Sequence, residues 1–270
     1  MTKIKNNIIN IISNRNIHSR ETSKLLASKL REAGYNPTMS YDENAILNIC
    51  VGGDGAFLRA VRKNNFPSIP FIGINTGHLG FFQEILPENI DYFINRYKNK
   101  DYNVEEISLV RARVTTSRRN YTLTGVNEIT IKTMDSKVIH LNVYIDNNHL
   151  QTFSGDGLIV STPVGSTAYN LSSGGSVIYP TLDTLQLTPL SPINSQAYRS
   201  LPNSSVIPGN IPIKLEPTKR YKNSTLIVVD GEEYRYRSIK DISLSISNRN
   251  IKRIVLDKNM YWNNLKSKFL

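Results

Sequence analysis

Apolar positions in the first hundred residues fall into two alternating kinds. Short, mainly apolar runs, IINIIS at 8–13, AILNICV at 45–51 and SIPFIGI at 68–74, have the length and composition of buried strands. Between the first two, HSRETSKLLASKLREAGYN at 18–36 predicts a helix with Ser19 as its N-cap, Leu25, Leu26 and Leu30 on one face, and Gly34 as its stop. A second helix carries Phe57, Leu58 and Val61. A third, LPENIDYFINRYKN at 86–99, spaces Ile90, Phe93, Ile94 and Tyr97 helically with Pro87 near its first turn. Strand and helix in alternation predict βαβ units on a parallel sheet.

From about residue 104 the period changes. VIHLNVYID at 138–146 alternates Ile139, Leu141, Val143 and Ile145 against polar neighbours, and Asn147-Asn148 reads as its hairpin turn. STLIVVDGEEYRYR repeats the device around Asp230-Gly231, and DISLSISN alternates again. The stretch from Pro180 to Pro208, rich in Pro, Ser and Asn, reads as a long loop. NMYWNNLKSKFL at the end reads as a helix. The expected fold class is an α/β N-terminal domain with a parallel, Rossmann-like sheet plus a mostly-β C-terminal domain. The expected boundaries are 1–103, 104–250, and a tail of 251–270 that packs back on the first domain.

Composition refines this picture. At 270 residues, 39% hydrophobic and 20% charged, the chain has the make-up of a globular protein, with two modest domains expected over one large one. No run approaches the roughly 18 apolar residues of a membrane span, and the N-terminus has no secretory signal pattern, so the expected location is the cytoplasm. The lone Cys50 cannot pair internally and reads as a buried strand thiol. His18, His78, His140 and His149 show no zinc-ligand spacing. A net charge of +11 favours anionic partners: nucleotides, polyphosphates, nucleic acid or acidic lipid. Charge alone does not choose among them. Arg118 and Arg119 in TTSRRNYT read as a solvated hairpin tip, and no RNP-like aromatic signature accompanies them.

The candidate chemistry sits in VGGDGAF at 51–57, where a strand gives way to a helix. Glycines there let backbone N–H groups approach a phosphate, and the helix N-terminus favours its charge. The loop has neither the Lys-Ser/Thr of a Walker A motif nor the Rossmann spacing. Asp54 is the unusual residue: beside phosphates a carboxylate repels its ligand unless it binds a metal or accepts a proton, and phosphoryl transfer to a hydroxyl uses both services. As a tetrapeptide GGDG also reads as a plain turn. NTGHLGF at 75–81 follows the next strand, however, which places a second glycine loop at the same carboxyl edge, where open α/β sheets bind ligands.

GGDGAFLRA, NTGHLGF, GVNEITI and GDGLIVSTPVGSTAYNLSSGG stand in an order and approximate spacing that resembles the NAD kinase family. The motifs span about residues 46 to 180, and the GSTAYN block is far more specific than GGDG, which is similar to turns in diacylglycerol kinases and phosphofructokinases. The resemblance implies ATP-dependent phosphorylation of the adenosine 2'-hydroxyl of NAD to give NADP, with Asp54 as the base and Mg²⁺ carried by ATP rather than ligated by the protein. It assigns Gly52, Gly53, Gly55, Phe57 and Asn75 to the phosphates and nucleotide. It assigns Asn127, Glu128, Ser154, Asp156, Ser166, Thr167, Ala168, Tyr169, Asn170, Ser172 and Ser191 to NAD, and it implies a homodimer or homotetramer with sites at the interface. Membrane and nucleic acid are not expected partners. The chain departs from the pattern at Ala56 and Val164, where the family has threonine, and at Ser154, where arginine is common; Arg59, Arg62 or Lys63 could replace that charge or lie on a solvated helix face. The alternatives are a lipid kinase sharing the GGDG turn and a non-catalytic nucleotide- or nucleic-acid-binding protein.

Overall fold

The computed structural model describes residues 7–77, 80–134 and 137–270. The chain divides into two units, Met1–Glu106 with Asn250–Leu270, and Ile107–Arg249. His78 and Leu79 of the second glycine loop lie outside the described residues.

In the first unit the apolar runs become β1 (Ile8–Ser13), β3 (Leu47–Gly52) and β4 (Phe71–Asn75), with α1 (Ile17–Glu32), a short β2 (Asn36–Thr38), α2 (Asp54–Lys63) and α3 (Ile90–Lys98) between and after them. The strands lie parallel in the order β2-β1-β3-β4. All six residues of β3 are buried, which is why its sequence is an apolar run and not an alternation. Ile9, Ile49, Ile72, Leu26, Leu30 and Phe93 form the core beneath the helices. Two details of α1 differ from expectation. Its N-cap is Asn16, whose Oδ1 accepts the Ser19 N–H at 2.7 Å, and Leu25 is exposed while Leu26 and Leu30 are buried. The stripe facing the sheet is therefore narrower than the run of leucines suggests. Cys50 is buried in β3, and burial pushes its thiol pKa up.

The second unit is built from β5 (Asn103–Thr116), which enters it from the first, β6 (Asn120–Gly125), β7 (Glu128–Thr133), β8 (Ile139–Ile145), β9 (Asn148–Gly155), β10 (Gly157–Ser161), the single turn α4 (Tyr169–Ser172), β11 (Thr184–Leu190), β12 (Ser205–Pro208), β13 (Ile213–Pro217), β14 (Thr225–Val229) and β15 (Glu232–Arg235). The long β16 (Ile239–Val255) leads out of it, and α5 (Met260–Phe269) ends the chain in the first unit. One sheet runs β12-β11-β10-β7-β14-β15; in the other, β16, β13, β8 and β9 are neighbours and β5 pairs with β16 and β6. Leu141, Phe153, Leu215 and Leu244 from one sheet share a core with Ile131, Val160, Leu185 and Ile227 from the other; β8 and β13 alternate buried and half-buried positions, whereas β10 is buried on both faces.

The expected loop from Pro180 to Pro208 is corrected, because it contains β11 and β12. In β11 only Leu185 and Leu187 reach the shared core; alternating with them are Gln186 and Thr188, buried polar residues paired with Asn170. Pro189 lies beyond the last residue paired with β12, where one side of β11 is an edge and a missing N–H is tolerated. The β8–β9 turn is also shifted by one: Asp146 and Asn147 have φ of 50° and 62°, the pair of positive values a two-residue hairpin loop takes. Among the described residues no helix is long and apolar enough to cross a membrane.

Candidate functional site

In the first unit the site grows from the end of β3. Gly53 caps α2 in an extended conformation, and Asp54 is the first residue of the helix. A Cβ on Gly52 would stand 2.6 Å from Cβ of Ala56 and 3.3 Å from Cβ of Asn14, so the tight exit from the strand depends on glycine there. The Asp54 carboxylate does not dangle. Oδ2 accepts the N–H of Phe81 at 2.9 Å and Oδ1 accepts that of Phe82 at 3.0 Å, while Nε2 of Gln83 donates to the Gly53 carbonyl at 3.0 Å. The segment after β4 thus folds onto the glycine turn and orients its acid. That segment is anchored twice. Phe82 stacks on Phe57 with centroids 4.5 Å apart, and Nδ2 of Asn264 on α5 donates to the Gly80 carbonyl at 2.9 Å. Asn75 is buried, and its Oδ1 accepts the Gly77 N–H at 3.0 Å. Arg59 turns back toward the loop, with Nη1 3.3 Å from a Cβ built on Gly55.

In the second unit Asn127 and Glu128 lie at the start of β7, and the turn that follows β10 is packed against them. Thr162 Oγ1 donates to the Val126 carbonyl at 2.7 Å, and the Thr162 N–H to that of Asn127 at 2.9 Å. A Cβ on Gly165 would overlap the Asn127 carbonyl. From the other side, the Asp230 carboxylate accepts the N–H groups of Val126, Asn127 and Glu128 at 2.7, 2.8 and 3.2 Å. This clamp leaves Asn127 Oδ1 and Glu128 Oε2 buried without a partner among the described residues. Such orphaned polar atoms are costly unless a ligand completes them. Burial, helped by the nearby Asp230 charge, pushes the Glu128 carboxyl up to about 8, so at neutral pH it is largely a protonated donor. Glu128, Thr130, Lys132, Tyr169, Val228 and Gly231 line an open cavity of about 230 Å³.

The remaining candidates separate by burial. Tyr169, Asp156, Ser172 and Ser191 are exposed, and Ala168 is half-buried. Thr167 is mostly buried, its hydroxyl donating to the Val164 carbonyl at 3.3 Å. Four more of the expected residues, Phe57, Ser154, Ser166 and Asn170, are 0% exposed. The Phe57 ring packs between Phe71 and Phe82. Ser154 pairs with His140 Nδ1 at 2.7 Å, Ser166 with the Pro163 carbonyl and Ile178 N–H, and Asn170 with Gln186 and Thr188. All four side chains are packed or hydrogen-bonded within the protein. Sequence reading did not single out Asp230, Gly80 or Gln83 as site residues. Asp230 read only as a turn residue, and its partners lie over a hundred positions away.

Known proteins resemble the chain along nearly its whole length. Residues 15–102 match the ATP-NAD kinase N-terminal domain and residues 126–255 the ATP-NAD kinase C-terminal domain. An NAD kinase of Finegoldia magna is 49% identical over 97% of this chain and 98% of its own length, and one of Streptococcus gordonii is 32% identical over 97% and 95%. The fold is shared with yeast NADH kinase complexed with NADH (TM-score 0.82, 17% identity, 97% of this chain and 86% of that one). It is shared as well with an NAD kinase from Archaeoglobus fulgidus in complex with ATP (TM-score 0.75, 23% identity, 96% and 98%). The chain therefore belongs to the NAD kinase family, phosphotransferases whose acceptor is an alcohol group.

Proposed function

We propose that this protein transfers the γ-phosphoryl group of ATP to the adenosine 2'-hydroxyl of NAD, giving NADP and ADP. The observation that carries the reading is the Asp54 carboxylate, set at the start of α2 and held in one orientation by the N–H groups of Phe81 and Phe82. A carboxylate offers about four acceptor positions, so two backbone bonds leave it able to take a further proton. In the proposed step the 2'-oxygen forms a bond to the γ-phosphorus as the bond to the bridging oxygen of ADP breaks, and Asp54 takes the hydroxyl proton.

Gly52, Gly53 and Gly55 bring backbone N–H groups to phosphate, Asn75 lies in the same turn system, and Arg59 supplies positive charge beside it. Asn127 Oδ1 and Glu128 Oε2 meet the dinucleotide through the acceptor and donor they leave unpaired, Tyr169 offers a ring face for stacking, and Asp156, Thr167, Ala168, Ser172 and Ser191 complete its contacts. Among the described residues no three His, Cys, Asp or Glu side chains form a metal-ligating group. Mg²⁺ would enter with ATP, held by its phosphates and water, and would supply positive charge to the transferring group. The same proposal includes a cytoplasmic location and a homodimer or homotetramer.

The test is direct. The purified protein is incubated with Mg-ATP and NAD, and NADP is read with a dehydrogenase that ignores NAD. Formation of NADP that requires both substrates supports the reading; phosphorylation of diacylglycerol instead, or nucleic-acid binding without phosphoryl transfer, overturns it.

A further inference from the structure

Arg118 and Arg119, expected on a solvated hairpin tip, do not stand alone. The tip between β5 and β6 meets the turn between β15 and β16. The Ser117 N–H donates to the Ser238 carbonyl at 3.1 Å, and the rings of Tyr121 and Tyr236 lie with centroids 4.3 Å apart. Each side is fixed internally. Thr116 Oγ1 donates to the Arg119 carbonyl and accepts the Arg118 and Arg119 N–H groups. Across from it, Asn223 Oδ1 accepts the Ser238 N–H at 2.7 Å, and Ser238 takes a φ of 54°.

Between them lies an open groove of about 760 Å³ lined by four arginines, Arg118, Arg119, Arg235 and Arg237, and by no carboxylate. Arg235 pairs with Glu233 at 2.9 Å outside that lining, and Arg119 lies over the Tyr121 ring. Arg118 and Arg237 form no ion pair among the described residues. A groove of this size suits a small molecule, and guanidinium forks match phosphate oxygens two at a time. The Arg118 and Arg237 forks on a braced backbone, with Arg119 and Arg235 beside them and the tyrosine pair as a wall, make a poor surface for an apolar partner and a good one for a chain of phosphates.

We propose that this groove is a second, non-catalytic binding site for a small anion carrying two or more phosphates, separate from the residues assigned above to phosphoryl transfer. The phosphate chain of a nucleotide and a free inorganic chain share that chemistry.

Calorimetric titration of the full-length protein tests it, using inorganic tripolyphosphate, ATP, orthophosphate and a single-stranded oligonucleotide as probes at two salt concentrations. The expected result is saturable, salt-dependent tripolyphosphate binding that falls at least tenfold in an Arg118→Ala/Arg237→Ala double variant and is partly kept in the double lysine variant. Tm and kcat are expected to stay within the wild-type range, since both side chains are exposed. ATP losing a binding event in the same variant assigns a nucleotide; tripolyphosphate alone responding assigns the inorganic chain; either supports the site. Unchanged tripolyphosphate binding in the double variant overturns it. So does orthophosphate binding as tightly, tighter binding of a single-stranded oligonucleotide, or a matching loss of kcat/KM for ATP. Because binding is read without turnover, failure here is distinguishable from failure of the proposed kinase activity.

Discussion

Asp54 occupies the space that Gly80 leaves empty: a Cβ at position 80 would overlap the carboxylate. The acid and the second glycine loop are therefore complementary parts. The same loop supplies the two N–H groups that Asp54 accepts, and Asn264 holds it from behind.

Gly80→Ala is expected to push the carboxylate out of register and to lower kcat about 10²-fold, since even small misplacement of a reacting group is costly. Asp54→Asn is expected to lose about 10² to 10⁴ in kcat while calorimetry still detects NAD binding. Steady-state kinetics check both; wild-type kcat in either variant would remove the oriented carboxylate from the mechanism.

Glu128 makes stability depend on pH. Its folded-state pKa stands at about 8 against an ordinary 4.5, so between those values the folded chain keeps a proton that the unfolded chain has released. Stability falls as pH rises through that window and levels off above it. Thermal melts of Glu128→Gln should coincide with wild type near pH 4.5 and lie above it near pH 8.5. Parallel melts across the range would place the Glu128 titration elsewhere.

Asn170 and Tyr169 are neighbours with opposite expected phenotypes. Asn170→Ala removes the partner of buried Gln186 and Thr188 and is expected to destabilise by about 2 kcal/mol, lowering Tm. Tyr169→Ala changes an exposed ring, so Tm should hold while KM for NAD rises several-fold. A reversed pattern would exchange their roles.

Asp230→Ala strands three N–H groups at residues 126–128. The expected cost is about 3 kcal/mol, together with a lower Glu128 pKa once the neighbouring charge is gone. Urea melts and the pH profile of Tm read the two effects separately.

The kinds of element were legible in the chain because they follow from local period. β3 reads as a strand since both of its faces are buried, and β8 since only one is; Asp230-Gly231 reads as a turn since positive φ suits those residues. β11 was not legible, because its polar residues look like loop until Asn170 arrives to pair with them. The motif order pointed to the family, and it singled out Asp54, Asn127 and Glu128 as candidates. Only the tertiary structure decided that Ser166 and Asn170 turn inward while Tyr169 turns out, that Asp230 clamps a segment 103 positions away, that Gly80 makes room for Asp54, and that four arginines from the β5–β6 tip and from the end of β15 and the turn after it share one groove. The physical reason is the same in each case: burial and hydrogen-bond partners belong to whatever part of the chain returns to a position, and nothing in the local period records which part that will be.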